Sequence, residues 1–384
     1  MRAEQYLRTF IRALDAFTQT TPLAKFLPNF FRQNKQMGSS DRRTISRLLY
    51  NYFRLGNALK ECALEQRLSY AEFLCSQSES SFLQRFRPDL NEHITWPISE
   101  KVPFLKQYIG FHLQDVFPFT AHLSSGIEEA QFLQSFFIQP DLYIRIHPGK
   151  EDWIKSRLSK EQVSFRTVTS HTLALANSTP LDRLLGKGHY EVQDLSSQQT
   201  AEHFKPQARD YWWDACAASG GKSLCLLQEQ PNIQLLVSDV RTSILKNLDD
   251  RFDRAGIKKY SKKVIDLAKG AELDFSHDTF DGIILDAPCT GSGTWGRTPE
   301  LISGFKESSI NTFQKLQQSI ASHILSYLKP NKPLIYITCS VFKEENEEIV
   351  DFLIQKHGLR LESMQILKGY EQKADTMFVA RLLR

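Results

Sequence analysis

Two cysteines in the second half of the chain follow apolar runs. Cys289 comes after the run FDGIILD, within DAPCTGSG, and Cys339 ends the run PLIYITC, within TCS. An isolated cysteine is most often a buried core residue. Two cysteines beside turns at the ends of neighbouring strands instead indicate thiols that share the ligand-binding edge of a sheet.

Methylation of carbon-5 of a cytosine is one reaction that needs thiols in this setting. That carbon is too weak a nucleophile to attack a sulfonium methyl group, so a thiolate first adds to carbon-6. Asp286 ends the run before Cys289 and is placed to stabilise protonation of the ring. A base then removes the carbon-5 proton, the thiolate leaves, and a second cysteine can assist its release. Chemistry alone leaves both Cys289 and Cys339 as candidate nucleophiles.

A loop of small residues after the run YWWD predicts a binding site for an anionic group. Its glycines allow close approach to a ligand, and the helix that it opens has a positive N-terminus. The next apolar run ends in Asp239, the usual place for a carboxylate that binds ribose hydroxyls, and a third run ends in Asp266, which could contact adenine. Adenosine without a triphosphate fits a methyl donor. The loop comprises Cys216, Ala217, Ala218, Ser219, Gly220, Gly221 and Lys222.

A nucleotide triphosphatase is the alternative interpretation of this loop. Lys222 and Ser223 match the end of a Walker A motif, and GIILDAP resembles a Walker B strand. The first glycine of that motif would fall at Cys216. A nicotinamide cofactor also suits the order of strands, but the loop after YWWD has no GxGxxG motif.

The elements that must position these residues alternate between strand and helix. This pattern predicts a doubly wound parallel sheet over residues 191–384. The predicted helices cover 242–255 and 308–328, and the predicted strands cover 211–214, 233–239, 262–266, 280–286 and 333–339.

Two further domains are predicted upstream. Residues 123–190 contain short apolar runs at 142–146, 163–168 and 172–177 around a helical segment at 152–158, which indicates a small α+β module. Residues 1–122 show apolar residues at helical spacing and predict a helical domain.

Two charged clusters have alternative interpretations. One predicted helix carries four arginines after the capping candidates Ser39 and Ser40. They form either a phosphate-binding face or an ordinary solvated face, and they are Arg42, Arg43, Arg47 and Arg54.

A second charged cluster follows Cys339. Asn346 is expected to be structural, and a solvated helix face is expected for Glu344, Glu345, Glu347 and Glu348.

The composition is that of a soluble globular protein of 384 residues, with 41% hydrophobic and 24% charged residues. No residue window resembles a membrane span or a signal peptide, so we expect a cytoplasmic protein, and we expect a monomer. The six cysteines include no CxxC pair, so neither a metal site nor a disulfide is expected. A net charge of +4 permits binding to nucleic acid but does not require it.

The segments DACAASGGKS, VSDV, DAPCTGSGTWGRTPE and YITCSVFKEENEEIV resemble, in order and spacing, the motifs of the Sun (Fmu) family of RNA cytosine-5 methyltransferases. GHYEVQDLSSQ and ADTMFVARLL are similar to its flanking elements. The resemblance extends from about residue 142 onward. The helical N-terminal region resembles more loosely the NusB-type domain of the RsmB branch, which methylates small-subunit ribosomal RNA.

The resemblance implies a fold, a cofactor and a role for each thiol. The fold would be α/β, with a Rossmann-like class I S-adenosylmethionine methyltransferase domain, a small RRM-like α+β module and a helical RNA-binding domain. Cys339 matches the nucleophile and Cys289 the cysteine that promotes release. DNA cytosine-5 methyltransferases use the cysteine of Pro-Cys as nucleophile, so Cys289 remains the competing assignment. S-adenosylmethionine would be held by residues 216–222 with Asp239, Asp266 and Asp286, although Lys222 could instead lie nearer the cytosine.

The chain departs from the family at Ser219, where proline is usual. Proline pre-sets the backbone angle at a helix start, whereas serine can cap the helix, so we expect the loop to keep its form with somewhat more freedom. The resemblance implies RNA as partner, ribosomal RNA first and transfer RNA as the alternative. A non-catalytic RNA-binding assembly factor is a further alternative, but it predicts the loss of reactive groups, and Cys289, Cys339 and Asp286 are all present.

Overall fold

The computed structural model of the protein describes residues 2–186, 188–270 and 279–384. These residues divide into two compact units. The first contains the chain up to Ala121 with Glu128–Gln139 and Thr294–Lys306, and the second contains His122–Ile127, Pro140–Gly293 and Glu307–Arg384. The three-domain division at 122 and 190 stays a prediction. Its second and third ranges include residues 187 and 271–278, which lie outside the described residues.

The described residues of the first unit are mainly helical, as the spacing of apolar residues predicts. In the first helix Tyr6, Phe10 and Ala13 are buried on one face. Its α-helices are α1 (Arg2–Ala16), α2 (Leu23–Gln33), α3 (Ser39–Arg54), α4 (Leu64–Cys75), α5 (Ser81–Phe86), α6 (Pro88–Asn91), α7 (Ile98–Ile109) and α8 (Glu129–Ser135), with short 3-10 turns at Leu113–Val116 and Pro299–Leu301.

Two of the four arginines of α3 have buried partners inside the first unit, and for Arg42 and Arg43 the phosphate-binding face stays a prediction. Arg54 is only 1% exposed, and its guanidinium donates to the carbonyl oxygen of Phe136 (2.5 Å) and to Oε1 of Gln139 (3.0 Å). Arg47 forms an ion pair with the buried carboxylate of Glu72. Both side chains are therefore committed to partners inside the first unit, and the phosphate-face interpretation is wrong for them.

A seven-stranded sheet forms the centre of the second unit. Its order is β10–β11–β9–β8–β5–β6–β7, and the five strands from β9 to β7 are parallel, whereas β11 runs antiparallel to β9 and β10 antiparallel to β11. The strands are β5 (Tyr211–Asp214), β6 (Gln234–Asp239), β7 (Ser261–Val264), β8 (Gly282–Asp286), β9 (Pro333–Thr338), β10 (Arg360–Leu367) and β11 (Met377–Leu383).

Helices cover both faces of this sheet, as in a doubly wound fold. On one face α12 (Gly221–Glu229) and α13 (Thr242–Arg254) pack through Leu224, Leu248 and Phe252. On the other face α14 (Ser308–Leu325) and α15 (Glu347–His357) pack through residues such as Ile324 and Leu353. The sheet therefore has a core on each side, which explains why its central strands are almost uniformly apolar.

A second, four-stranded sheet lies in the same unit and is antiparallel throughout. Its order is β2–β3–β1–β4. Its elements are β1 (Leu142–Ile146), α9 (Glu151–Lys160), β2 (Phe165–Thr169), β3 (Thr172–Leu175), α10 (Leu181–Leu185) and β4 (Tyr190–Val192), and α11 (Leu195–Gln199) follows β4. Three of these strands were predicted, but the short strand β4 was not.

No helix in the described part of the chain combines the length and the apolar character needed to cross a membrane.

Replacement of Arg54 tests the structural role of this buried cation. In Arg54→Met the carbonyl oxygen of Phe136 loses its donor, so the free energy of unfolding should fall by roughly 1 to 3 kcal/mol. Urea unfolding followed by tryptophan fluorescence measures the change. Arg43→Met, at an exposed position on the same helix, is the matched control and should change stability by less than about 0.5 kcal/mol. Equal stability of the two variants would contradict the assignment.

Candidate active site

The two cysteines predicted to do chemistry lie side by side in the second unit. β8 and β9 are parallel neighbours, with Asp286 paired in register with Ile337, so their carboxyl ends meet at one edge of the sheet. The loops that leave this edge bring Sγ of Cys289 to 3.3 Å from Sγ of Cys339. Both thiols are free and partly exposed. The structure therefore places together the two residues that the sequence singled out.

The backbone around Cys339 is held by buried polar groups. The amide of Gly293 donates to the carbonyl oxygen of Cys339 (2.9 Å), and Nδ2 of Asn346 donates to the carbonyl oxygen of Ser340 (3.0 Å). The hydroxyl of Thr338 donates in turn to Oδ1 of Asn346 (2.5 Å). The predicted structural role of Asn346 is confirmed.

Glu345 is not on a solvated face, and that expectation is wrong. The residue is fully buried, and its Oε1 accepts from the amide of Thr290 (2.9 Å) and from Nε2 of Gln317 (3.0 Å). Its Oε2 accepts from the hydroxyls of Thr290 (2.5 Å) and Ser340. Burial raises the pKa of Glu345, although these donors oppose the shift. A run of glutamates indicates solvent exposure, and only the fold of the Cys289 loop buries this one.

The neighbouring glutamates also differ from a simple solvated face. The carboxylate of Glu344 binds the ring of His122 (2.5 Å), and the carboxylate of Glu347 accepts from the hydroxyl of Ser124 (2.9 Å). Glu348 is exposed, as expected. Its carboxylate accepts from Nε2 of Gln314 (2.8 Å), so all four glutamates contact polar groups within the second unit.

Lys222 and Asp286 form an ion pair at the same edge of the sheet. Nζ of Lys222 donates to Oδ2 of Asp286 (3.1 Å) and to the hydroxyl of Ser197 (2.9 Å). Burial by itself would lower the pKa of Lys222, but the charge and hydrogen bond of Asp286 outweigh it and raise the pKa. Lys222 is therefore a buried cation that fixes the carboxylate of Asp286.

The small-residue loop is shaped by Gly220. This residue has a φ of 81°, in the left-handed region, and a Cβ there would lie 2.6 Å from a ring carbon of Phe252. α12 begins at Gly221 with no side-chain cap. The loop is present with serine in place of the usual proline, and the hydroxyl of Ser219 does not cap the helix but accepts from Nη1 of Arg251 (3.2 Å).

A cavity of about 550 Å³ opens beside the thiols. Seven of the predicted site residues line it, and they come from four successive strand ends and the first loop. These seven are Cys216, Ala218, Asp239, Asp266, Asp286, Cys289 and Cys339. The other predicted residues, Ala217, Ser219, Gly220, Gly221 and Lys222, are not part of its wall. They shape the loop or hold Asp286 from behind.

Asp239 and Asp266 each have local partners as well as a place in the cavity wall. Asp239 accepts from the amides of Ala218 (3.1 Å) and Arg241 (2.9 Å). Asp266 caps a 3-10 turn by accepting from the amide of Ala268 (3.2 Å). Asp266 therefore caps a turn and lines the cavity at the same time.

One wall of the cavity was not predicted. Phe313, Leu316 and Ile320 of α14 line it at spacings of three and four residues, which place them on one helix face. Arg241 lines it too and forms an ion pair with Asp239 (3.0 Å). The helical spacing was readable from the sequence, but it does not distinguish a cavity wall from a core face.

No group of three or more His, Cys, Asp or Glu side chains among the described residues has an arrangement that could hold a metal ion.

Comparison with known proteins finds a family model that matches the C-terminal part of the chain. Residues 201–383 match the model of the family described as 16S rRNA methyltransferase RsmB/F. The chain is similar to ribosomal RNA small subunit methyltransferase B of Enterobacter sp. (strain 638), at 30% identity over 64% of this chain and 60% of that protein. The protein of the same name from Shewanella oneidensis is 32% identical over 52% of this chain and 48% of that protein. The matches thus span less than two thirds of the length of these relatives.

A solved structure shares the fold over most of the chain. A methyltransferase homolog protein from Pyrococcus horikoshii has a TM-score of 0.59 and 22% identity, and the alignment covers 74% of this chain and 98% of that one. The predicted α/β fold with a Rossmann-like methyltransferase domain and a helical N-terminal region is confirmed.

Asp214 predicts a dependence of stability on pH. This fully buried residue accepts from the hydroxyl of Ser223 (2.6 Å), and burial raises its pKa to about 7. Between its ordinary value of 3.8 and about 7 the unfolded chain loses a proton that the folded protein keeps, so stability falls as pH rises through this window. Asp214→Asn has no carboxyl group at this position, so its stability should not fall in this way as pH rises.

The free energy of unfolding of Asp214→Asn should therefore rise relative to that of the unmodified protein, by up to about 4 kcal/mol between pH 4 and pH 7. Urea unfolding at several pH values measures it. Asp250→Asn, at an exposed position of α13, is the control and should show no such growth. A pH-independent difference for Asp214→Asn would contradict the assignment.

Proposed function

We propose that this chain, whose residues 201–383 belong to the RsmB/F methyltransferase family, is an S-adenosylmethionine-dependent RNA cytosine-5 methyltransferase. The observation that supports it most is the pair of free thiols 3.3 Å apart, in the wall of a cavity that also contains Asp286. A single thiol would serve many reactions. Two thiols beside a carboxylate fit a reaction in which a covalent bond to a ring carbon must form and then break.

The residues of the cavity fit the proposed methyl donor. Asp239 and Asp266 line the cavity with carboxylate oxygens that suit ribose hydroxyls and an adenine amine. The guanidinium of Arg241 donates twice to Asp239, and a bound ribose would replace it as the partner of this carboxylate. Apolar side chains such as Ile265 and Phe313 suit a flat base. S-adenosylmethionine supplies an electrophilic methyl group on a positively charged sulfur. The negative charge of Asp286 and Asp239 at the wall favours such a cation.

Cys339 is proposed as the nucleophile, following the family resemblance. Its thiolate forms a bond to carbon-6 of the cytosine, and the electron pair of the double bond between carbon-5 and carbon-6 becomes available at carbon-5. Asp286, fixed by Lys222, stabilises the proton that the ring nitrogen gains in this step. The carbon-5 atom then takes the methyl group.

Cys289 is proposed to act in release. A base removes the carbon-5 proton, the electron pair re-forms the double bond, and the bond between sulfur and carbon-6 breaks. The hydrogen bond with Cys339 and burial raise the pKa of Cys289 above its ordinary value, which favours its protonated form. A protonated Cys289 can donate to the sulfur of Cys339 as it leaves.

Ribosomal RNA of the small subunit is the substrate that we propose, because the family and the curated relatives carry that substrate in their names. Transfer RNA is the alternative. The target cytosine must leave its stack to reach the thiols.

We further propose that the chain acts in the cytoplasm as a monomer, with residues 1–122 as an RNA-binding domain and 123–190 as an RRM-like module.

The alternative functions have less support. In a triphosphatase the lysine and hydroxyl of the Walker A motif face phosphates. Here Lys222 pairs with Asp286, and the hydroxyl of Ser223 binds the buried Asp214. A non-catalytic assembly factor would have no need to retain two adjacent thiols.

Substitution of each cysteine tests their roles. Cys339→Ala should lower methyl transfer by about 10⁴-fold or more and form no adduct, because the covalent step is lost. Cys289→Ala should transfer a methyl group but stay bound to RNA, and a slow band on a denaturing gel reveals the adduct. Cys62→Ala, a free cysteine of the first unit, is the matched control and should behave as the unmodified protein. The reverse pattern would make Cys289 the nucleophile.

Bisulfite sequencing identifies the substrate. In a strain that lacks this protein, one 5-methylcytosine of small-subunit ribosomal RNA should be absent, and the intact gene should restore it while the Cys339→Ala gene should not. Loss of a site in transfer RNA instead would move the substrate to the alternative. No lost site in either RNA class would count against the proposed function.

A further inference from the structure

We propose that Glu345 is a positioning residue that holds the loop bearing Cys289 against the loop bearing Cys339. The inference rests on the proposed function, in which Cys289 promotes release from Cys339. The hydrogen bonds of the Glu345 carboxylate go to Thr290, Ser340 and Gln317 and not to either sulfur. It acts through the residues that flank the two cysteines.

The carboxylate of Glu345 joins the two loops directly. It accepts from the amide (2.9 Å) and the hydroxyl (2.5 Å) of Thr290, the residue after Cys289. It also accepts from the hydroxyl of Ser340, the residue after Cys339. One buried side chain thus binds the immediate neighbour of each thiol.

Glu345 and its partner Gln317 make more hydrogen bonds to the residues beside Cys289 than to those beside Cys339. Nε2 of Gln317 donates to Glu345 (3.0 Å) and to the carbonyl oxygen of Pro288 (2.9 Å), so the residues on both sides of Cys289 are tied to this network. The backbone of Cys339 has a separate support, because it directly follows β9 and its carbonyl oxygen accepts from Gly293. Loss of the Glu345 carboxylate should therefore displace Cys289 more than Cys339.

A carboxylate is the group that these partners require. All four groups that reach Glu345, from Thr290, Ser340 and Gln317, are donors. A glutamine has one acceptor oxygen, and in this site without solvent its NH₂ group can bind the hydroxyls of Thr290 and Ser340 only if both turn to accept instead of donate. Glu345→Gln therefore keeps the shape of the side chain and removes about half of its bridging capacity.

The first experiment measures the position of the thiols without any enzyme assay. The full chain is equilibrated with reduced and oxidised glutathione. Cys289 and Cys339 lose two protons and two electrons to form a disulfide, and oxidised glutathione takes up both to give two reduced molecules. Mass spectrometry measures the fraction of the protein in which the two peptides are linked. At a known ratio of reduced to oxidised glutathione, this fraction gives the effective concentration of one thiol at the other.

Glu345→Gln should lower this effective concentration by roughly tenfold, because the loss of one buried hydrogen bond is worth about that factor. Glu348→Gln, an exposed glutamate on the same segment, is the matched control and should leave it within twofold. Thr290→Val removes a donor to Glu345 and should lower it too, which provides a second variant if Glu345→Gln does not fold. Equal values for the unmodified protein and both loop variants would overturn the proposal, as would failure of the unmodified protein to form this disulfide.

The second experiment separates positioning from general loss of structure. In single-turnover assays on RNA, Glu345→Gln should transfer the methyl group and release the product roughly tenfold more slowly. In the Cys289→Ala background, where the product stays bound, the same substitution should leave the rate of methyl transfer within twofold, because its effect passes through Cys289. A tenfold loss of methyl transfer in that background would overturn the proposal. If the unmodified protein methylates no RNA while the glutathione result is as expected, the proposed function fails and the positioning role of Glu345 stands.

Discussion

The parallel pairing of β8 with β9 is the constraint on which the candidate site depends. Neighbouring strands lie about 4.8 Å apart, so two loops that leave the same edge of adjacent parallel strands must come into contact. Asp286 and Thr338 end these strands, and the 3.3 Å separation of the sulfurs of Cys289 and Cys339 follows from that register. An antiparallel pair would send the two loops to opposite edges of the sheet.

The buried carboxylates around this edge are of two kinds. Asp286 and Asp239 are paired with Lys222 and Arg241 and line the cavity, where negative charge favours a cationic ligand. Asp214 and Glu345 are held by neutral donors, and burial raises the pKa of both. The first kind belongs to the wall that meets the ligand. The second kind accepts hydrogen bonds that fix the loops. Burial of these carboxylates lowers stability, and their hydrogen bonds offset that cost.

The sequence predicted most of the parallel sheet and both thiols, for a physical reason. Strands buried on both faces are nearly continuous apolar runs, and each ended in a polar residue at the ligand-binding edge. The antiparallel strands β10 and β11 were both missed. RLESMQIL of β10 mixes charged and apolar residues without a clear period, and the apolar run of β11 was noted only as a flanking element of the family. Arg54 and Glu345 were misjudged because charged side chains normally face water, and their buried partners, such as Gln139 and Thr290, are distant in sequence. Local patterns carry no information about such contacts.

The strand β11 has a consequence for how this protein is made. Phe378 pairs with Thr338, so β11 covers the side of β9 that would otherwise be open, and β11 is synthesised after every other strand of the sheet. While a nascent chain lacks Met377–Leu383, the backbone groups on that side of β9 have no partner. Such an edge can pair with another chain. Premature termination before Met377 would therefore yield a species prone to aggregation, with the support of the Cys339 loop incomplete.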